Sequence, residues 1–190
     1  MEAALLVLEE DVRLMLAFKA GDQGAFDALF HRWAAPLLRY LQRMVKDAAA
    51  AEELLQEVFL RVHRSRERYT PQARFSTWLY RIATNVALNE LRRPRYQLVH
   101  HSIDTEGQDL TRSNEASPEA AAHARQFVGQ VEIELRRLPE RQRAALCLVA
   151  VEGLSYAEVA ETLEVSEQAV KALVHRARSA LAARLPERGF

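Results

Sequence analysis

The sequence of 190 residues contains little cysteine, glycine or proline: one cysteine, six glycines and six prolines. The single cysteine, Cys147, excludes a disulfide framework and disfavours a cysteine-based metal site. Because Cys147 lies in the apolar run 146–149, we expect it to be a buried core thiol. The scarcity of glycine and proline, together with abundant alanine and leucine, favours helices over strands.

Long apolar runs are also absent, since no segment approaches the roughly 20 residues that span a bilayer. The first residues carry Glu2 in place of the basic start of a signal peptide, and no small-residue cleavage site follows. We therefore expect no membrane insertion and a cytoplasmic location. The histidines lack metal-ligand spacing and no glycine-rich phosphate loop occurs, so we expect no metal, no cofactor and no enzymatic activity.

Net charge is zero for the whole chain, but the charges are sorted along it. Two blocks are basic, with a net charge of +7 over residues 61–95 and +3 over residues 166–190. The segments 1–60, 96–125 and 126–165 carry −4, −3 and −3. Salt screens surface charge over about 8 Å, so each block acts locally. Overall neutrality therefore does not argue against nucleic-acid binding.

Apolar residues recur at helical spacing and predict an all-α fold of two small helical domains joined by a flexible linker. We expect the first domain over residues 11–95 and the second over residues 118–187. The segment 96–117 loses this periodicity and is polar and acidic, which is typical of a linker.

Local signals refine this organisation. Pro36 falls inside an apolar helical pattern and should kink or break that helix. Ser76 is expected to cap a helix that ends at Pro94. Proline at the first helical position, as in Ser117-Pro118, predicts the start of the second domain.

The segment from Ser155 to Leu181 predicts a helix-turn-helix. Ser155 and Glu158 form an S-x-x-E capping box, and Ser166 can cap the helix after the turn. At 100° per residue, one face of that second helix carries mainly polar and cationic side chains: Gln168, Lys171, Ala172, His175, Arg176 and Ser179. Such a face suits the major groove of B-DNA. An ordinary solvated face on a helical hairpin is the alternative interpretation.

A second basic helix is predicted over residues 75–94. Its predicted exposed face carries an aromatic residue, amides and arginines: Trp78, Arg81, Asn85, Leu88, Asn89 and Arg92. This chemistry suits single-stranded DNA, because aromatic rings stack on unpaired bases, amides recognise base edges and cations hold phosphates. Core packing is the alternative for Phe75, Trp78 and Tyr80.

Several segments resemble those of group IV (extracytoplasmic-function, ECF) sigma factors of the sigma-70 family. Residues 75–85 resemble the hallmark segment of that group, and residues 51–61 resemble its polymerase-binding helix. Residues 138–146, 152–160 and 169–178 resemble the fourth sigma region. The motifs occur in the family's order, and the resemblance covers about residues 14–185.

The resemblance implies an RNA polymerase sigma factor that binds core polymerase, recognises two promoter elements, promotes DNA melting and is controlled by an anti-sigma factor. Glu53, Gln56 and Glu57 would contact the clamp of the largest polymerase subunit, and the second domain would contact the flap of the second-largest subunit. The implied contacts to the minus-ten element, as melted non-template strand, are Arg74, Phe75, Trp78, Tyr80, Arg81, Asn85, Asn89 and Arg92. The implied contacts to the minus-thirty-five duplex are Gln168, Lys171, Ala172, His175 and Arg176.

The sequence departs from the family pattern in detail. Ala50 stands where an acidic residue is usual, and His63 where tryptophan is common. Glu164 replaces the glycine of the helix-turn-helix turn, so this turn forms without the residue that most easily adopts left-handed backbone.

A conventional transcription regulator, with a sensing or dimerising domain before its helix-turn-helix, is the main alternative. The segment 78–85 and the acidic helix 51–60 argue against it. A pull-down with core polymerase distinguishes the two hypotheses.

Overall fold

The structure, a computed structural model, describes residues 9–45, 47–93 and 118–185. Within these ranges the chain forms helices and no strand, which confirms the predicted all-α fold with two helical domains. The α-helices are α1 (Glu10–Lys19), α2 (Gln23–Met44), α3 (Ala48–Ser65), α4 (Phe75–Leu91), α5 (Pro118–Arg136), α6 (Glu140–Ala150), α7 (Tyr156–Leu163) and α8 (Glu167–Ala182), with a 3-10 turn at Arg66–Arg68. The predicted linker, 96–117, lies outside the described residues.

Helices α1 to α4 pack together in the first domain, and their buried apolar side chains belong to a core that continues into the second domain. The hydroxyls of Tyr40 on α2 and Thr84 on α4 share a buried hydrogen bond of 2.7 Å, which ties the two helices together. Of the kink or break predicted at Pro36, the break is wrong, because α2 continues through this residue to Met44. Leu37 and Leu41 after the proline are fully buried, and this burial favours continuing the helix despite the lost backbone hydrogen bond.

The start of α4 also differs from expectation. The helix begins at Phe75, so Ser76 is not its cap. Instead, the carboxylate of Glu9 accepts a hydrogen bond from the backbone N–H of Phe75 at 3.4 Å and pairs with Arg74 at 2.6 Å. A carboxylate is favourable there because a helix N-terminus carries partial positive charge and unpaired N–H groups. The beginning of the chain thus caps the helix that carries the first candidate site.

The second domain contains the predicted helix-turn-helix. In α7 the backbone N–H of Glu158 donates to the Ser155 hydroxyl at 3.2 Å, and the Glu158 carboxylate accepts from the Ser155 N–H at 2.8 Å, which confirms the capping box. The Ser166 hydroxyl accepts from the Ala169 N–H at 3.2 Å and caps α8. Between the helices, Glu164 itself adopts left-handed backbone, with φ of 55°.

The two domains pack against each other. Helix α7 lies along α4, and α6 contacts both α2 and α4. Cys147 is fully buried in α6, as predicted. Among the described residues, no helix is both long and apolar enough to cross a membrane.

Candidate nucleic-acid interface

Helix α8, the second helix of the helix-turn-helix, has a buried apolar side and an outer polar side. Val170, Val174 and Ala177 are buried against the rest of the second domain. On the outer side Gln168, Lys171, His175 and Arg176 are exposed and Ala172 is half-buried. The five predicted duplex-contacting residues therefore share one outward face. That face offers cations and hydrogen-bond donors in the arrangement that a major groove accepts.

Helix α4 exposes a narrower face than its sequence suggested. Arg81, Asn85, Asn89 and Arg92 are exposed, and Arg74 is exposed just before the helix. Trp78 is half-buried, whereas Phe75 and Tyr80 are buried. Leu88, placed on the outer face by its helical position, is also buried. Since α2, α3 and α7 all contact α4, only one stripe of the helix reaches solvent.

Trp78 is anchored in a group of aromatic rings. Its ring centroid lies 4.9 Å from that of Tyr69 and 5.6 Å from that of Phe75, which in turn lies 6.0 Å from Trp33. These separations are those of favourable aromatic pairs. Burial, followed by the charges of Glu9 and Asp11, raises the pKa of Tyr69 to about 12, so the phenol stays neutral. The cluster holds one edge of Trp78 in place while leaving the ring half-exposed.

A cavity of about 590 Å³ opens beside this cluster, a volume within the usual range for ligand sites. Its lining comes from the end of α3, the 3-10 turn, the loop between that turn and α4, helix α4 and one residue of α7: Ser65, Arg68, Tyr69, Thr70, Gln72, Ala73, Thr77, Trp78, Arg81 and Glu161. A smaller cavity of about 350 Å³ adjoins it and is lined partly by Arg61, Arg64, Asn85 and Glu164. An aromatic ring and several guanidinium groups thus border a space that could take an unstacked base and its phosphates.

The helix expected to contact polymerase, α3, presents Glu53 and Gln56 to solvent. Glu57 is half-buried and pairs with Arg61, one helical turn later, at 2.7 Å. All three side chains lie on α3, which the Arg66–Arg68 turn and the loop that follows it connect to α4.

Polar contacts made by Tyr80 and Thr77 reach from α4 to the second domain. The Tyr80 hydroxyl donates a hydrogen bond to the carboxylate of Glu152, which also lies 3.6 Å from Arg43. Burial first, and this hydrogen bond second, raise the pKa of Tyr80.

The second contact joins Thr77 to Glu158. The Thr77 hydroxyl donates to the Glu158 carboxylate at 3.1 Å, and Arg74 lies 3.7 Å from the same group. Burial opposes ionisation of Glu158, but hydrogen bonds from Ser155 and Thr77 outweigh it and lower its pKa. Glu158 is therefore held as a carboxylate against the start of α4.

Of these cross-domain partners, Tyr80 was among the predicted site residues, whereas Thr77, Glu152 and Glu158 were not. Tyr80 and Glu152 are separated by 72 positions, and Thr77 and Glu158 by 81, so no local pattern connects them. One signal was available in the sequence: Glu158 and Glu161 are three residues apart and so lie on one side of α7.

Comparison with known proteins finds a family model that matches a segment of each of the two domains. Residues 29–96 match the family model Sigma-70 region 2, and residues 131–181 match Sigma-70, region 4. The chain is 32% identical over 182 residues to RNA polymerase sigma-H factor of Pseudomonas aeruginosa, covering 93% of this chain and 94% of the relative. It is 31% identical to ECF RNA polymerase sigma factor SigW of Bacillus subtilis, covering 86% and 90%.

Solved structures share the fold. CnrH in complex with the cytosolic domain of CnrY superposes with a TM-score of 0.68 at 23% identity, covering 92% of this chain and 96% of that one. The sigma factor RpoE of Bartonella quintana, in complex with the anti-sigma factor NepR, gives a TM-score of 0.67 at 20% identity, covering 86% and 98%. With region 2 and region 4 in sequence order, and relatives that align over nearly their full length, the chain belongs to the sigma-70 family as an ECF RNA polymerase sigma factor and serves promoter-directed initiation of transcription.

Proposed function

We propose that this sigma factor recognises a promoter through two separate faces, one on each domain. The exposed stripe of α4, with the half-exposed Trp78, binds the minus-ten element as melted non-template strand. The outer face of α8, with Lys171 and Arg176, binds the minus-thirty-five element as duplex. The observation that carries this proposal is the cavity beside the α4 face, whose lining includes the half-buried ring of Trp78 together with Arg68 and Arg81.

The cavity beside Trp78 supports capture of a flipped base. Flipping a base costs a few kcal/mol of lost stacking, which a fitted pocket can offset. Trp78 offers a half-exposed ring surface, while Arg68 and Arg81 offer cations for the adjoining phosphates. The exposed cations and hydrogen-bond donors of the α8 face suit binding to paired DNA.

Core polymerase is the proposed protein partner. The exposed Glu53 and Gln56 and the neighbouring Glu57 would contact the clamp of the largest subunit, and the second domain would contact the flap of the second-largest. We place this activity in the cytoplasm, and we propose that it involves no cofactor and no catalysis by this chain itself. Since the sigma factor RpoE, which shares this fold, was solved with the anti-sigma factor NepR, we further propose control by an anti-sigma factor.

In vitro transcription tests the proposal. Core polymerase, the protein and a library of DNA fragments are combined, and the transcribed fragments are sequenced. We expect fragments enriched for two short motifs at fixed spacing upstream of the start, with core polymerase alone as the control. Transcripts that do not depend on the protein, or failure of the protein to bind core polymerase, would contradict the proposal and favour the conventional regulator.

A further inference from the structure

The two ends of helix α1 hold the two ends of the loop 69–74, which joins the 3-10 turn to α4 and lines part of the larger cavity. In the last turn of α1, the Lys19 ammonium donates a hydrogen bond to the backbone carbonyl of Tyr69 at 2.8 Å. Just before α1, the Glu9 carboxylate accepts a hydrogen bond from the backbone N–H of Phe75 at 3.4 Å. One short helix therefore fixes where the loop begins and where α4 takes over from it.

Further contacts strengthen this attachment of α1 to the loop. Glu9 also pairs with Arg74, the last loop residue, at 2.6 Å. Helix α1 packs on the 3-10 turn as well, where the guanidinium of Arg66 lies 5.6 Å from the ring centroid of Phe18. Each hydrogen bond from α1 involves one charged partner, which makes it stronger than a bond between neutral groups.

The position of Trp78 depends on the same attachment. Its ring packs on those of Tyr69 and Phe75, with centroids 4.9 and 5.6 Å away, and these are the two residues whose backbones are bound at the ends of α1. Among the described residues, the buried hydroxyl of Tyr69 has no hydrogen-bond partner. The Tyr69 ring is therefore held by packing and by the bond from Lys19 to its backbone. Helix α1 thus supports the aromatic wall, although the described lining residues come from other elements.

We propose that Lys19 and Glu9 are positioning residues for recognition of the minus-ten element, which hold the loop 69–74 and Trp78 in the arrangement that accepts an unpaired base. This inference rests on the proposed capture of a base in the cavity beside Trp78. A loop that is already ordered in its binding conformation loses less entropy when the ligand arrives. The two side chains therefore strengthen binding of the base without touching DNA.

The test uses holoenzyme assembled from core polymerase and the full chain. The probe is a fluorescent single-stranded DNA with the minus-ten sequence of a promoter recovered by in vitro transcription, and a series of probes lacks one base at each position in turn. For the native chain, we expect one position at which loss of the base weakens binding about tenfold, as expected for a base stacked on an aromatic side chain.

Lys19→Met removes the ammonium and keeps the aliphatic part of the side chain. We expect the loss of affinity at that position to shrink by about threefold, because an unanchored side chain must be ordered on binding. Glu9→Ala should act in the same direction, and Lys19→Arg, which keeps a cationic donor, should restore the native value. Arg13→Met is the matched control, because it removes an exposed cation from the same helix and should leave the value unchanged.

The ratio between complete and base-free probes separates positioning from a general role in stability. A merely structural role would weaken binding of both probes by the same factor. Equal ratios for the native chain and Lys19→Met would overturn the inference and leave base capture intact.

A native holoenzyme insensitive to base loss at every position, together with unchanged binding by Trp78→Ala, would overturn base capture and the inference with it. Thermal unfolding checks that each variant is folded. If Lys19→Met does not fold, the ratio for Glu9→Ala decides in the same way.

Discussion

The Tyr80 hydroxyl, on the helix proposed to recognise the minus-ten element, donates a hydrogen bond to the carboxylate of Glu152 in the other domain. Tyr80 is only 2% exposed, and the Glu152 side chain only 10%. A hydrogen bond to a charged group in such a place contributes more to stability than a neutral one. The contact therefore couples α4 to the position of region 4.

Tyr80→Phe should remove this bond while keeping the ring packed against Tyr40 and Trp33. We expect a loss of about 1.5 kcal/mol in the free energy of unfolding, measured by urea denaturation. A double-mutant cycle with Glu152→Gln isolates the coupling. Strictly additive effects of the two substitutions would show that the pair contributes nothing to stability.

Lys171→Ala with Arg176→Ala should weaken binding of the holoenzyme to upstream duplex DNA. Loss of a base contact typically costs about 1–3 kcal/mol, and neither side chain is buried, so stability should stay nearly constant. Footprinting of the minus-thirty-five region measures the effect. Arg184→Ala, which removes an exposed cation after the end of α8, is the control. An unchanged footprint in the double variant would refute the assignment of the α8 face.

Asn85→Ala should impair open-complex formation while sparing polymerase binding, since Asn85 is exposed on the α4 stripe. Permanganate reactivity of unpaired thymines reports melting, and co-purification reports polymerase binding. Phe75→Ala is the contrasting variant: its ring is 1% exposed, so the chain should lose about 3–5 kcal/mol of stability. Normal melting with Asn85→Ala would remove that residue from the site.

Local features of this fold could be predicted from the sequence, whereas contacts between distant segments could not. The helix-turn-helix, the capping box of Ser155 and the start of α5 at Pro118 follow from short-range patterns, and all three are confirmed. The cap of α4 was missed because it comes from Glu9, 66 residues away from Phe75.

Prediction from local sequence patterns meets the same limit at the candidate site. Helical position places Arg81 and Asn85 on an outer face, and both are exposed. The same geometry also placed Leu88 outside, but it is buried, because α4 is packed on more than one side. Periodicity identifies the faces of a helix, but the number of neighbours that cover it depends on the tertiary structure.

Glu164 offers a direct measure of backbone strain in the turn. Both Glu164→Ala and Glu164→Gly remove the carboxylate, but only glycine removes the Cβ that disfavours left-handed backbone. We expect the glycine variant to be about 1 kcal/mol more stable than the alanine variant, measured by thermal unfolding. An alanine variant as stable as the glycine one would mean that the turn relaxes out of the left-handed conformation.

The buried thiol of Cys147 should contribute to a loss of folding stability at alkaline pH. Burial raises the pKa of its thiol from 9.0 to about 11, so between these values the unfolded chain releases a proton that the folded chain keeps. Stability should therefore be complete below pH 9.0 and fall as the pH rises towards 11, by at most about 1.4 kcal/mol per pH unit from this group. Buried tyrosines contribute in the same direction, so the comparison is between the native chain and Cys147→Ala, each unfolded by urea across this range. The free energy of unfolding should decline more steeply with pH for the native chain than for Cys147→Ala. Parallel declines in the two chains would exclude the thiol as a cause.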